Sequence, residues 1–228
     1  TRSHAGMTQV TISTPDGEAA PLDVAFVIDI SGSMATEVSS GESDGFSILD
    51  VVKHAILTCL EGFRPQDKAS LVVYSTDARV LMSSRRMDAG GKACIKIKLA
   101  GIDAENSTNI WDGLRLGLEQ LPRGGTVCLL TDGQPNRSPP RGEVYELKKA
   151  LDGRDDIVVN TFGFGYNIDT ALLLNFGMAL ANNPRDFASF HGTLIHVPFR
   201  FILKCTKERI MDSTTTQRYR GPRRPDHN

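Results

Sequence analysis

Asp29, Ser31 and Ser33 stand at alternate positions directly after an uninterrupted apolar run, Val24-Ala25-Phe26-Val27-Ile28. Such a run reads as a strand buried on both faces, hence the middle of a parallel sheet. One carboxylate and two hydroxyls at its carboxyl end are hard oxygen donors. They suit a small divalent cation such as Mg²⁺, which takes octahedral oxygen coordination and keeps some of its water. Two further segments offer the same chemistry. Thr108 precedes an expected helix in Ser107-Thr108-Asn109-Ile110-Trp111-Asp112-Gly113-Leu114, and Asp132 ends a second apolar strand in Val127-Cys128-Leu129-Leu130-Thr131-Asp132-Gly133. A role for Ser31 and Ser33 as turn residues or a helix cap leaves their coincidence with Asp29, Thr108 and Asp132 unexplained.

Asp-x-Ser-x-Ser, a later Thr and a later Thr-Asp-Gly, in this order, resemble the von Willebrand factor A (vWA) domain with its metal-ion-dependent adhesion site. The resemblance runs from about Leu22 to about Leu180. It implies a Rossmann-like fold and a cation, Mg²⁺ or alternatively Mn²⁺ or Ca²⁺, held by Asp29, Ser31, Ser33, Thr108 and Asp132. Ser107 to Leu114, Leu130-Thr131-Asp132-Gly133-Gln134-Pro135-Asn136 and Thr161-Phe162-Gly163-Phe164-Gly165-Tyr166 look most like intracellular eukaryotic vWA proteins of the Hint-bearing type. No Hint segment is present, so only the vWA half carries over.

The elements that must position these residues follow from periodicity. Gln9 to Ser13 reads as a lead-in strand and Val24 to Asp29 as the first core strand. Ser47 and Asp50 form a capping box, with Phe46 placed to staple against Val51. Ile48, Leu49, Val52, Ala55, Ile56, Cys59, Leu60 and Phe63 then follow helical spacing. Ala69 to Tyr74 is a strand, and Ala78 to Met82 follows too closely for a crossover, so it pairs antiparallel. Helices are expected over Asp88 to Leu99, Asn109 to Leu121, Glu143 to Leu151 and Asp169 to Ala181, the last carrying Leu172, Leu173, Phe176 and Leu180 inward. Strands are expected over Thr126 to Thr131 and Ile157 to Phe162. The alternation predicts an α/β fold: a doubly wound, mostly parallel sheet with one antiparallel edge strand and helices on both faces. In such sheets ligands sit beyond the strands' carboxyl ends where the winding reverses. Asp29 and Asp132 converge there if their strands are neighbours, with Gly32 and Gly133 turning the backbone beneath the ion.

At 228 residues and 40% hydrophobic, the chain can bury a full core. Its net charge of −1 supplies no field to recruit nucleic acid or anionic membrane. No apolar run approaches the roughly 18 residues of a membrane helix, and Thr1 to Gly6 lack the apolar core of a leader. Cys59, Cys94, Cys128 and Cys205 share no C-x-x-C spacing, so free thiols in a reducing, cytoplasmic setting are expected. Residues 1–21 form a lead-in, 22–200 the vWA domain and 201–228 a basic tail. From Arg200 onward the charge is +5, against −6 for the rest. Ser213 to Asn228 is too polar to offset its ordering entropy by burial, so disorder is expected there, with an incompletely covered sheet edge near Ile157 to Phe162.

Other chemistry-bearing residues have plainer roles. Asp112 in a first helical turn complements the dipole, and Glu37, Glu42 and Asp44 belong to a solvated loop. Trp111 packs its helix or, following the Thr108 loop, anchors a partner; His54 sits on a polar face, and Gly163 and Gly165 lack the rest of a nucleotide loop. Two function classes remain. One is a binding module whose cation takes an Asp or Glu carboxylate of a protein partner. The alternative is a Mg²⁺-dependent hydrolase, with the ion activating water. The hydrolase needs a base or nucleophile, and the three ligand loops contain neither a histidine nor a G-x-S-x-G turn. The expectation is a non-enzymatic, metal-dependent binding module.

Overall fold

The chain is seen in a computed structural model that describes residues 2–4, 7–9, 20–37, 45–105, 107–133, 135–165, 168–179 and 194–197. A six-stranded sheet, ordered β5-β4-β3-β6-β7-β8, is built from β3 (Asp23–Asp29), β4 (Lys68–Tyr74), β5 (Ala78–Arg86), β6 (Gly125–Thr131), β7 (Ile157–Phe164) and β8 (Leu194–Val197). Every pairing is parallel except β4 with β5. A separate antiparallel pair, β1 (Arg2–His4) and β2 (Met7–Gln9), precedes it. Of the expected lead-in strand only Gln9 is described, as the end of β2; residues 10–13 lie outside the described residues.

β3 sits in the middle because it is apolar on both faces, and it uses both. Val24, Phe26 and Ile28 join one buried cluster with Ile48, Val52, Ile56 and Leu60 of α1 (Ile48–Glu61) and Ile95 and Leu99 of α2 (Ala89–Ala100). Ala25 and Val27 join the other with residues of α3 (Ile110–Glu119), α4 (Glu143–Ala150) and α5 (Thr170–Gly177). The two-residue period of a strand thus divides one sequence run between two cores. β4 lies on one side of β3 and β6 on the other, so the winding reverses between β3 and β6.

The helices begin where their caps dictate. Ser47 Oγ accepts from Asp50 N at 3.1 Å and Asp50 Oδ2 from Ser47 N at 3.0 Å, completing the expected capping box. Asp88, Asn109 and Asp169 cap α2, α3 and α5 through Gly91 N, Asp112 N and Leu172 N. α3 approaches the sheet so closely that a Cβ on Gly113 would lie 2.4 Å from the Tyr74 ring.

Three expectations need correction. Phe46 is 59% exposed rather than stapled to Val51. The Thr36 carbonyl takes the Ile48 amide and Glu37 bridges Ser47, and this fixes the entry to α1 with Phe46 outward. Cys59 lies on the flank of the α1 stripe and is exposed as a residue, although partial burial still raises its thiol pKa. Neither Gly32 nor Gly133 has a positive φ, and Gly32 instead opens a right-handed 3-10 helix, Gly32–Ala35. The β7 edge is incompletely covered among the described residues, as expected, since Leu194–Val197 pairs only with Thr161–Phe164. The tail expected to be disordered, residues 180–181 of the last helix with Leu180, and Glu42 and Asp44 lie outside the described residues.

Candidate metal centre

Parallel pairing sets the carboxyl ends of β3, β4 and β6 side by side, and the candidate residues gather there. Asp29, the last residue of β3, has no exposed surface. Its Oδ1 accepts from Ser31 N at 2.8 Å, while its Oδ2 accepts from Thr131 Oγ1 at 2.6 Å and Tyr74 Oη at 3.2 Å. The strand register supplies the last of these, since Asp29 and Tyr74 are direct partners across β3 and β4. Ser31 Oγ lies 3.1 Å from Ser33 Oγ, and Ser33 Oγ donates to Asp132 Oδ1 at 3.0 Å. Asp29, Ser31, Ser33 and Asp132 therefore form one continuous hydrogen-bonded group at the reversal point.

Thr108 joins through its backbone. Its carbonyl accepts from Asn136 N at 3.1 Å and Arg137 N at 3.2 Å, and its amide donates to Asn136 Oδ1 at 2.9 Å. Ser107 Oγ donates to the same oxygen at 2.8 Å. The loop that starts at Asp132 thus holds the loop that carries Thr108, which is itself buried.

The electrostatics are those of a site with more negative charge than its surroundings neutralise. Burial raises the Asp29 pKa, opposed by its hydroxyl and amide donors. Asp132 is pushed up to about 6, first by burial and then by the Asp29 charge. Burial, followed by the same charge, pushes the Tyr74 hydroxyl well above its usual value, so it remains a donor. A cation placed among these oxygens reverses that logic, because it favours the ionised carboxylates. Among the described residues no group of three or more His, Cys, Asp and Glu is close enough to hold a metal. Two carboxylates with three hydroxyls are a donor set of another kind, and one that fits a hard cation.

The other candidates take structural roles. Asp112 Oδ2 accepts from Ala78 N at 2.7 Å and its Oδ1 pairs with Arg115, tying α3 to the start of β5. Trp111 is partly buried against the second core and His54 is exposed. Beside the site, an open polar depression of about 460 Å³ is lined by Ser75, Thr76, Asp77, Arg79, Ala104 and Glu105. Glu105 accepts from Arg79 and Ser75 and is held below its usual pKa, first by Arg79. Sequence reasoning gave no role to Tyr74, Thr131 or Asn136. Two of the three stood in quoted motifs, and the third becomes visible only when β4 is aligned beside β3.

A family profile described as the von Willebrand factor type A domain matches residues 23–192. Among curated proteins the chain is 31% identical to human inter-alpha-trypsin inhibitor heavy chain H4, over 67% of this chain and 17% of that protein. It is 27% identical to the uncharacterized protein YfbK of Escherichia coli, over 63% of this chain and 24% of that one. The chain thus spans about a fifth of the length of these relatives. Among solved structures, a von Willebrand factor type A protein from Catenulispora acidiphila superposes with a TM-score of 0.66 at 18% identity, over 84% of this chain and 42% of that one. Proximal thread matrix protein 1 from the mussel byssus, solved with a zinc-occupied MIDAS motif, gives 0.57 at 22% identity, over 83% and 45%. Domains of this kind generally serve protein–protein interaction and metal-dependent binding. With the profile covering β3 to β7, five of the six strands of the sheet, the chain belongs to the von Willebrand factor type A domain family.

Proposed function

We propose that the protein is a non-enzymatic, metal-dependent protein-binding module. Asp29, Ser31, Ser33, Thr108 and Asp132 would hold a divalent cation, Mg²⁺ in the first instance, and the cation would accept an Asp or Glu carboxylate of a partner protein. The observation that carries this reading is the pairing of Asp29 with Asp132 among hydroxyls at a sheet rim, where burial disfavours both charges and the Asp29 charge further disfavours that of Asp132. A site with that imbalance is relieved by a cation. The open depression beside it suits capture of a side chain better than enclosure of a metabolite.

The surroundings also favour binding over hydrolysis. The neighbouring carboxylate, Glu105, has a lowered pKa under Arg79 and is a poor proton acceptor. Asp112 is occupied by Ala78 N and Arg115. We place the protein in the cytoplasm, a reading supported by the free thiols of Cys59, Cys94 and Cys128.

Calorimetric titration with Mg²⁺, Mn²⁺ and Ca²⁺ tests the proposal. Wild type should bind and Asp132→Ala should not, with both retaining a native circular dichroism spectrum. Identical titrations would sink the metal reading. Metal-dependent turnover of phosphate esters, lost in Asp132→Ala, would establish the hydrolase instead.

A further inference from the structure

We infer that Asn136 is a positioning residue for the metal centre, locking the Thr108 loop to the Asp132 loop. The inference rests on the cation site proposed above. Thr108 is reached from a different part of the chain than the other four residues, and its side chain has no hydrogen bond to them. Its place is set by four bonds to two consecutive residues. Asn136 Oδ1 takes the Thr108 amide at 2.9 Å and the Ser107 hydroxyl at 2.8 Å, while the amides of Asn136 and Arg137 donate to the Thr108 carbonyl.

Both polar groups of the Thr108 backbone are therefore satisfied by the loop that begins at Asp132. An amide side chain is suited to this double role. Its carbonyl oxygen has two lone pairs for two donors, while its own backbone amide supplies the return bond. A leucine of similar size keeps the return bonds and deletes the acceptor. Because Asn136 is exposed, the substitution leaves both cores untouched. The consequence is confined to where Thr108 sits relative to Asp132, and partners that orient ligands in this way set metal affinity.

The test uses wild type, Asn136→Leu, Asn136→Asp and Asp132→Ala. Hydrogen exchange is measured in chelator and Mn²⁺ binding by calorimetry. In chelator, the Thr108 amide should be protected in wild type and in Asn136→Asp, which keeps an acceptor oxygen, and should exchange freely in Asn136→Leu, with thermal unfolding unchanged. Mn²⁺ affinity should fall about 10- to 100-fold in Asn136→Leu and recover in Asn136→Asp. Unchanged Thr108 exchange in Asn136→Leu overturns the lock. Unchanged Mn²⁺ affinity in Asn136→Leu, with binding lost in Asp132→Ala, overturns the positioning role while leaving the metal site standing. Wild type that takes up no Mn²⁺ overturns the metal site, and the role of Asn136 with it.

Discussion

Asp132 holds its proton longer than a carboxylate in water, because it is largely enclosed and faces Asp29. Its ordinary value is 3.8 and its folded value about 6. Between those two, the unfolded chain has released a proton that the folded protein still carries. The contribution is therefore present at low pH and is lost as pH rises through the window. At neutral pH in chelator, Asp132→Asn should be more stable than wild type by about 1 to 2 kcal/mol, taking about 1.4 kcal/mol per pKa unit and discounting for water at the rim. Urea unfolding at pH 4.5 and 7, with and without Mg²⁺, checks this: the advantage of the variant should shrink at the lower pH and reverse with the ion. An advantage that ignores pH would remove the electrostatic account. Tyr74→Phe should cost about 1 kcal/mol through the lost bond to buried Asp29, read as a lower urea midpoint. The five candidate residues were legible because carboxylates and hydroxyls recur in a fixed order after two apolar strands and ahead of one helix. Tyr74 was not, because its partnership with Asp29 comes from strand register across β3 and β4.

At the scale of elements, the two adjacent glycines opening α2 make a controlled comparison. A Cβ on Gly91 would lie 1.9 Å from the Arg86 carbonyl oxygen, whereas one on Gly90 meets nothing nearer than Asp88 Oδ1 at 3.5 Å. Gly91→Ala should therefore destabilise by about 2 kcal/mol or more through backbone displacement. Gly90→Ala should be neutral or stabilise by up to about 1 kcal/mol through helix propensity. Thermal melts of both variants decide it, and equal effects would show that propensity alone governs this turn. Ser47→Ala removes half of the α1 capping box and should cost about 1 kcal/mol in the same measurement. The capping box of α1, the apolar run of β3 and the antiparallel β5 were all legible from local pattern. The need for glycine at 91 was not legible, since the close pass of Arg86 is a tertiary fact with no local trace. Phe46 failed as a staple for a similar reason: the entry to α1 is set by a bridge from Glu37, outside the window that a capping rule reads.

Across the whole molecule, a second carboxylate centre lies at the opposite end of the sheet. Asp67 is buried where β4 begins, and accepts from Leu22 N at 3.0 Å, Arg64 N at 2.6 Å and the Arg64 guanidinium at 3.0 Å. Its pKa is lowered to about 2, first by Arg64. The stability it contributes is present above 3.8 and is lost as pH falls toward 2. Asp67→Ala should cost about 3 kcal/mol, because three donors lose their acceptor and two chain segments their tie. Acid titration of its circular dichroism should show a shallower loss between pH 4 and 2 than wild type, and an unchanged acid limb would count against the assignment. The ends of β3 and β4 thus favour opposite proton inventories, one end losing stability as acid is added and the other as it is withdrawn. Without an ion the chain is squeezed toward a mildly acidic optimum, and a bound cation would lift only the upper bound. The pH of greatest stability is then a label-free gauge of occupancy: a preparation whose optimum drifts from neutral toward pH 5 after chelation has reported, with no partner in hand, that its rim was filled.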